Sequence, residues 1–458
     1  MNDIEIGEIK KVFFIGIGGS SMSGIAMILN EWHIDVLGSD SNENNNTNFL
    51  MERGINVFIG HDKKNITDDI DVVVYTAAIN ELNEELIEAK RKNIKIYERA
   101  KFLGELTKKY NNCIGIAGTH GKTSTTSMLS SIFLEANMDP TIQVGSYLNL
   151  INGNFRVGKS ENFILETCEY KDSFLNFSLN SAIVLNIDND HLDYFHTLDN
   201  IKNSFYKFVS NLNENGYLIV NNDDNNSKDL GKYTNAKVIS VAIDNEANFV
   251  AKNIKYNNGY PCFDLYVDGV YERNFELGVF GKFNILNALA AIALASLNNI
   301  SYDCIYNGIK NYLGVSRRLE FKGKYNGALV YDDYAHHPSE IKAIFKALKD
   351  IVSNKIYIIF QPHTYSRVNN YKEEFAEVLS DFDKIIIMDI YAAREKNIYN
   401  VHAKDIVDII NKKYDNKAFY YNTFEEIVNY LNGFVNTNDI ILMVGAGDIN
   451  KLTLKLIK

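Results

Sequence analysis

Residues Cys113 to Leu134, CIGIAGTHGKTSTTSMLSSIFL, leave this chain few folds to choose from. A short apolar run (Ile114, Ile116, Ala117) leads into Gly118, Thr119, His120, Gly121, Lys122, Thr123 and Ser124. Apolar residues then recur at helical spacing as Met128, Leu129, Ile132 and Phe133, so the stretch predicts a strand, a glycine turn and a helix. Glycines at 118 and 121 let the backbone pass close to a polyphosphate, and the helix start aims N–H groups at it. Lys122 supplies a point charge and Thr123 a hydroxyl suited to Mg²⁺. The strict P-loop pattern wants a glycine where Ile116 stands, so the physical parts are present without the full motif. The plainer alternative is a structural turn with an exposed lysine, and the Ser/Thr run over 123–127 argues against it.

The length of 458 residues suits three domains at ~150 residues each. With 46% apolar and 23% charged residues the chain has the balance of a globular protein in water. Its formal charge of −11 argues against nucleic acid or an anionic membrane as the main partner. Phosphate chemistry must then rely on local cations and metal. The four cysteines are scattered, with neither metal-ligand spacing nor disulfide density, which fits a reducing cytoplasm. The start, MNDIEIGEIKK, has no apolar signal core, and no run approaches ~18 apolar residues, so neither secretion nor membrane spanning is expected.

Before the phosphate loop, a strand over 11–17 runs into Gly18, Gly19, Ser20, Ser21, Met22 and Ser23, then a helix over 25–32 and a second strand over 34–37 followed by Gly38, Ser39 and Asp40. This is close to a dinucleotide fingerprint, with Asp40 placed to meet ribose hydroxyls. Its last glycine is replaced by Ser21, which weakens a nicotinamide reading and favours another nucleotide diphosphate. Strands over 71–75 and 94–96, with a helix over 83–92, fill out a first domain spanning 1–106.

A second domain, 107–316, carries two further polar strand ends. Phe163–Leu165 leads into Glu166 and Glu169, and Ala182–Ile187 leads into Asp188 to Asp193 with His191 between. Ligands of open α/β sheets gather at the carboxyl ends of strands, so Thr123, Glu166 and His191 are the candidate ligands for Mg²⁺ or Mn²⁺. A strand-like stretch over 256–280 reads as a β insertion. Asn284 and Asn287 share a helical face, where their amides either meet a base edge or cap the helix.

The third domain, 317–458, alternates five strands with four helical stretches, the signature of a parallel-rich doubly wound sheet. Its polar strand ends hold Asp332, Asp333, His336 and His337; then 361–367; then 389–395; then 445–448.

In this order, GIGGSSMSGIA, GTHGKTSTT, ETCEYKDSF, NIDNDHLDYF, GKFNILNALAAIA, GVSRRLE, DDYAHHPSEI, QPHTYSR and GAGD resemble the Mur ligases of peptidoglycan synthesis across nearly the whole chain. GTHGKT alone also occurs in folylpolyglutamate synthases, whereas DDYAHH, QPHTYSR and MSGIA point to the alanine-adding branch. The resemblance implies an α/β protein of three domains: an N-terminal Rossmann-like domain for a UDP-sugar, a central P-loop-type ATPase domain with a β insertion, and a C-terminal Rossmann-like doubly wound domain that binds the amino acid and closes. It implies ATP-dependent amide synthesis in the cytoplasm, with UDP-N-acetylmuramate, L-alanine and ATP as substrates and Mg²⁺ or Mn²⁺ as cofactor.

Carried onto this sequence, Lys122, Arg318 and His336 or His337 are the catalytic candidates. ATP falls to the residues from Gly118 to Ser124 with Asn284, Asn287, Arg318 and Asp333. The UDP-sugar falls to Gly18 through Ser23, Asp40, Glu166 and Glu169. Two positions depart from the family: Ser21 stands where glycine is usual and Phe283 where histidine is usual. Phe205 stands where some branches carry a carbamylated lysine. The competing readings are a murein-peptide recycling ligase of the same family, a nucleotide-gated regulatory ATPase, and a nicotinamide oxidoreductase resting on the first glycine turn alone.

Overall fold

Strand β1 (Lys11–Ile15, KVFFI) is apolar on both faces, and both are covered, as a parallel sheet between helical layers requires. Val12 and Phe14 pack with Ile25, Ile28 and Leu29 on one side, while Phe13 and Ile15 pack with Leu86 and Ala89 on the other. That is the period-two alternation of a strand. The computed structural model describes residues 6–257, 259–349, 354–393 and 395–457. Part of the N-terminal stretch read above, 1–5, and Arg394 in the third polar strand end lie outside the described residues.

The first sheet continues with β2 (Asp35–Asp40), β3 (Asn56–Ile59), β4 (Val72–Tyr75) and β5 (Lys95–Glu98), in the order β3-β2-β1-β4-β5 and parallel throughout. Its helices are α1 (Ser20–Glu31), α2 (Asn45–Glu52), α3 (Glu84–Arg91) and α4 (Arg99–Thr107). The strand β3 and helix α2 are not legible as elements in the sequence. Strand β2 also runs on through Gly38 and Ser39, so that Asp40 ends the strand itself.

The second sheet is built on β6 (Asn112–Ala117), β7 (Thr141–Leu148), β8 (Gly153–Arg156), β9 (Asn162–Glu166), β10 (Ser181–Val184), β11 (Tyr217–Asn221) and β12 (Lys237–Ala242). Strands β13 (Phe249–Asn257), β14 (Tyr260–Val267) and β15 (Val270–Glu276) extend its edge, in the order β15-β14-β13-β12-β11-β10-β6-β9-β7-β8. The stretch read as an insertion thus begins earlier, at Phe249, and continues the sheet rather than standing apart from it. Helices α5 (Lys122–Glu135), α6 (Leu192–Phe195), α7 (Leu198–Ser210), α8 (Phe283–Leu297) and α9 (Tyr302–Lys310) accompany it. Phe205 of α7 is fully buried, edge-on to Phe174 at 5.1 Å between ring centroids.

The third sheet contains β16 (Glu320–Tyr325), β17 (Ala328–Asp333), β18 (Ile356–Phe360), β19 (Lys384–Ile387), β20 (Ala418–Tyr420) and β21 (Ile440–Val444), in the order β16-β17-β21-β18-β19-β20. The five strands expected from the sequence pair in parallel, and β16 adds an antiparallel edge that the polar sequence EFKGKY conceals. Helices α10 (Pro338–Lys349), α11 (Tyr365–Leu379), α12 (Ala403–Lys413), α13 (Phe424–Phe434) and α14 (Thr453–Leu456) cover its faces.

The chain divides into two compact units. One comprises Met1–Ala251, Leu265–Glu272 and Leu286–Asn311; the other comprises Lys252–Asp264, Arg273–Ile285 and Tyr312–Lys458. Among the described residues no helix is long and apolar enough to cross a membrane.

Candidate active site

In the first unit, β6 delivers the chain into the phosphate turn and α5 carries it away. Gly118 and Gly121 adopt φ of 132° and 85°, values that only glycine takes without strain. A Cβ on Gly121 would also lie 2.5 Å from Asn287 Oδ1, which brings the Asn287 amide against the turn. The segment after β10 pins the turn from one side. Thr119 N–H donates to Asn186 O (3.1 Å), His120 N–H to Asn186 Oδ1 (2.8 Å), and Asp188 N–H to Thr119 Oγ1 (2.9 Å). Ser124 is buried in the first turn of α5.

Lys122 does not reach into solvent. Its Nζ donates to Gly118 O (2.5 Å), Thr119 O (3.1 Å) and both oxygens of Glu169 (3.1 and 3.0 Å). Burial works against its charge, but the carboxylates of Glu169 and Glu166 outweigh that and hold its pKa above the ordinary lysine value. One residue further on, Thr123 Oγ1 donates to Glu166 Oε1 (3.2 Å), while Gly145 N–H of β7 donates to Glu166 Oε2 (2.7 Å). Glu166, expected both as a metal ligand and with the sugar nucleotide, and Glu169, expected with the sugar nucleotide, stand beside the phosphate loop, because β9 pairs directly with β6 and ends next to it.

Thr123 Oγ1 and the Glu166 carboxylate already form a pair of hard oxygen donors, which fits Mg²⁺ or Mn²⁺. His191 occupies a left-handed turn (φ 51°) before α6, its ring 4.7 Å from that of Tyr170 on the loop that carries Glu169.

The first glycine turn is anchored to the end of β2. Gly16 and Ile17 N–H groups donate to Ser39 O (2.8 and 2.9 Å), and Gly18 N–H donates to Asp40 Oδ2 (2.9 Å). Asp40 thus already spends one oxygen on the turn. Gly19 precedes α1 with no side chain capping the helix, Ser20 and Ser23 line a cleft of 690 Å³, and Met22 buries its side chain in the core. Ser21 Oγ, in place of the usual glycine, accepts from Gln143 Nε2 (2.7 Å) and from a guanidinium nitrogen of Arg99 (3.2 Å). Neither Arg99 nor Gln143 carries a motif. The available signal for Arg99 was a basic residue directly after a strand end.

In the second unit, Asp333 ends β17 rather than following it. Its oxygens accept from Leu319 N–H (2.6 Å) and Ala335 N–H (2.7 Å), and burial pushes its carboxyl up to about 6 against the opposing charge of Arg318. Arg317 is tied down: its guanidinium donates to Gly447 O (3.1 Å) and Gly445 O (2.5 Å) and lies 3.4 Å from Asp332. Arg318 lies 5.6 Å from the Tyr334 ring, and its Nε has no hydrogen-bond partner among the described residues.

The two histidines differ. His337 is buried against Tyr371, with Nδ1 2.7 Å from Ser339 Oγ. His336 is half-buried and donates from Nδ1 to the Tyr334 carbonyl (3.0 Å), which leaves Nε2 as the lone-pair nitrogen of the neutral ring. Asn284 donates to Phe280 O (2.7 Å), and the Phe283 ring lies over Gly281 (φ 93°), where it excludes a Cβ.

Three family profiles match the chain in sequence: "Mur ligase family, catalytic domain" over residues 11–111, "Mur ligase middle domain" over 116–295 and "Mur ligase, glutamate ligase domain" over 317–447. A UDP-N-acetylmuramate–L-alanine ligase of Clostridium acetobutylicum is 48% identical over 98% of this chain and 97% of its own length. One from Caldicellulosiruptor saccharolyticus is 46% identical over 96% and 97%. Among solved structures, a UDP-N-acetylmuramate–alanine ligase of Thermotoga maritima superposes with a TM-score of 0.81 at 26% identity, covering 98% of each chain. A murein peptide ligase of Psychrobacter arcticus shares the fold with a TM-score of 0.72 at 21% identity, over 98% of each chain. The chain belongs to the Mur ligase family.

Proposed function

We propose that this chain joins L-alanine to the lactyl carboxylate of UDP-N-acetylmuramate, with ATP as the activating substrate, in peptidoglycan precursor synthesis in the cytoplasm. The observation that carries the reading is the phosphate loop, where Lys122 pairs with Glu169 and Thr123 with Glu166, in a chain 48% identical to a ligase of that name. Residues 1–106 bind the UDP-sugar, 107–316 bind ATP and metal, and 317–458 bring the amino acid and close.

A carboxylate is a poor acyl donor because its leaving group would be oxide. In the first step a lactyl carboxylate oxygen attacks the γ-phosphorus of ATP, the bond to the bridging oxygen breaks, and ADP departs, leaving an acyl phosphate. In the second step the alanine amine attacks the acyl carbon, loses a proton and expels phosphate. Lys122 exchanges Glu169 for phosphate oxygens and compensates their charge as the phosphoryl group moves. Arg318 adds a second positive charge in the closed state. Thr123, Glu166 and His191 would hold Mg²⁺, which when bound neutralises charge on the nucleotide's phosphate oxygens. His336 Nε2 takes the ammonium proton, a task that suits imidazole near neutral pH. Asn284, Asn287 and Asp333 orient the nucleotide, and closure keeps water from the acyl phosphate.

The test is ADP release by the full chain with ATP and Mg²⁺, each acceptor alone and both together. The ligase reading expects release to rise only when UDP-N-acetylmuramate and L-alanine are both present. Release that ignores both acceptors would instead identify a regulatory ATPase.

A further inference from the structure

The sugar-nucleotide turn has no cation of its own: residues 16–24, GIGGSSMSG, contain neither Lys nor Arg. A diphosphate brings roughly two negative charges, and the N-terminus of α1 offers only about half a positive charge against them. In a chain of net charge −11, no general positive field makes up the difference.

Arg99 fills this gap. It opens α4 directly after β5, which is parallel to β1 in the first sheet, so it emerges at the same carboxyl edge as the turn. One guanidinium nitrogen donates to Ser21 Oγ (3.2 Å) and the other to Ser173 Oγ (3.3 Å). Both partners are neutral hydroxyls at long range, and among the described residues Arg99 has no carboxylate within ion-pair distance. Two of the five donors of its fork are used, and they fix the plane of the group beside the uncapped end of α1. A planar guanidinium held by weak partners and lacking a counter-ion suits a phosphate, which takes two parallel N–H donors. We infer that Arg99, held by Ser21 and Ser173, is the cation that binds the diphosphate of the sugar nucleotide. On this view the departure from glycine at position 21 is functional, because only a side chain there can reach the guanidinium. The inference rests on the reading of the first domain as the UDP-sugar site.

Titration calorimetry on the full chain tests it with three ligands: UDP, UDP-N-acetylglucosamine, which lacks the lactyl carboxylate, and UDP-N-acetylmuramate. Arg99→Ala should weaken all three by one common factor, roughly 10–100-fold as for the loss of a charge-assisted pair. Arg99→Lys should recover part of that loss evenly, and a non-hydrolysable ATP analogue should bind both variants as it binds wild type. Ser21→Gly should weaken all three ligands by a smaller common factor. If wild type binds none of the three, the UDP-sugar reading of the first domain fails and the inference with it. If wild type binds them and Arg99→Ala binds them equally well, or Arg99→Lys is no better than Arg99→Ala, Arg99 is not the diphosphate cation. A loss confined to UDP-N-acetylmuramate would move Arg99 to the lactyl carboxylate and overturn the diphosphate assignment.

Discussion

Lys122 and Arg318 are proposed to act on one phosphoryl group, yet the chain prepares them in opposite ways. Lys122 is neutralised in place by Glu169 at 3.0 Å and donates hydrogen bonds to two backbone carbonyls. Arg318 keeps an Nε without a hydrogen-bond partner among the described residues and has beside it an acid, Asp333, whose carboxyl burial has raised to about 6. For Lys122 the proposed arrival of a phosphate would replace one anion by another, so its gain in the ground state would be the small difference between the two. Arg318 meets the charge of Asp333 only through space, with no hydrogen bond between the two among the described residues, so the donor at its Nε is not already spent on a counter-ion. The comparison teaches that a lysine already paired within its loop fits the proposed role of organising the nucleotide, whereas an arginine with an unspent donor fits the proposed role at the transition state.

The largest expected effect breaks the first half of that comparison. Lys122→Ala should cut ligation by about a thousandfold, the upper end of what a missing oxyanion donor costs. Binding of UDP-N-acetylmuramate should be unchanged in calorimetry, and near wild-type turnover would refute the role of Lys122. Arg318→Ala sharpens the second half: kcat should fall by about a thousandfold while the Kd for ATP stays within roughly twofold. A fall in affinity that tracks kcat would make Arg318 an ordinary ground-state contact.

Glu166→Ala removes one oxygen of the proposed metal pair and should raise the Mg²⁺ concentration for half-maximal activity by roughly tenfold. Mn²⁺ binding followed by paramagnetic resonance should weaken in parallel, and overlaid titrations with wild type would contradict the pair.

The smallest effect concerns the buried acids of the second unit. Asp332 is 1% exposed and burial pushes its carboxyl from 3.8 up to about 6 despite Arg317. A raised acid stabilises the fold below its unfolded pKa and loses that contribution as pH rises through 6. Relative to Asp332→Asn, wild type should therefore lose on the order of 3 kcal/mol of stability between about pH 4 and pH 7. Denaturant midpoints at the two ends of that range measure it, and a constant difference would mean that Asp332 is ionised throughout.

The parts of this molecule that were legible in the sequence are those whose signal is local. Strands β6, β18 and β21 (NCIGIA, IYIIF, IILMV) are nearly or wholly buried and read as unbroken apolar runs. The edge strands β3 and β16 keep exposed or half-exposed positions along most of their length, so no apolar alternation marks them. The glycine turns were visible because their chemistry is contiguous. The contacts that complete the site are not: Arg99 meets Ser21 across 78 residues, Gln143 meets Ser21 across 122, and Glu169 meets Lys122 across 47. A carboxylate three residues past a strand end could be placed at the correct edge of the sheet, but only the pairing of β9 with β6 decides which loop it serves.

The central claim, that Lys122 and Arg318 serve the ligation of L-alanine to UDP-N-acetylmuramate, is tested most directly by mass spectrometry of the reaction mixture. The full chain would be incubated with UDP-N-acetylmuramate, ATP and Mg²⁺ and with each amino acid in turn. The expected result is one new species, heavier than UDP-N-acetylmuramate by alanine less water, formed with one ADP per adduct, fastest with L-alanine and lost in Lys122→Ala. ADP formed without any adduct, or an adduct that appears only with a preformed peptide in place of alanine, would contradict the account.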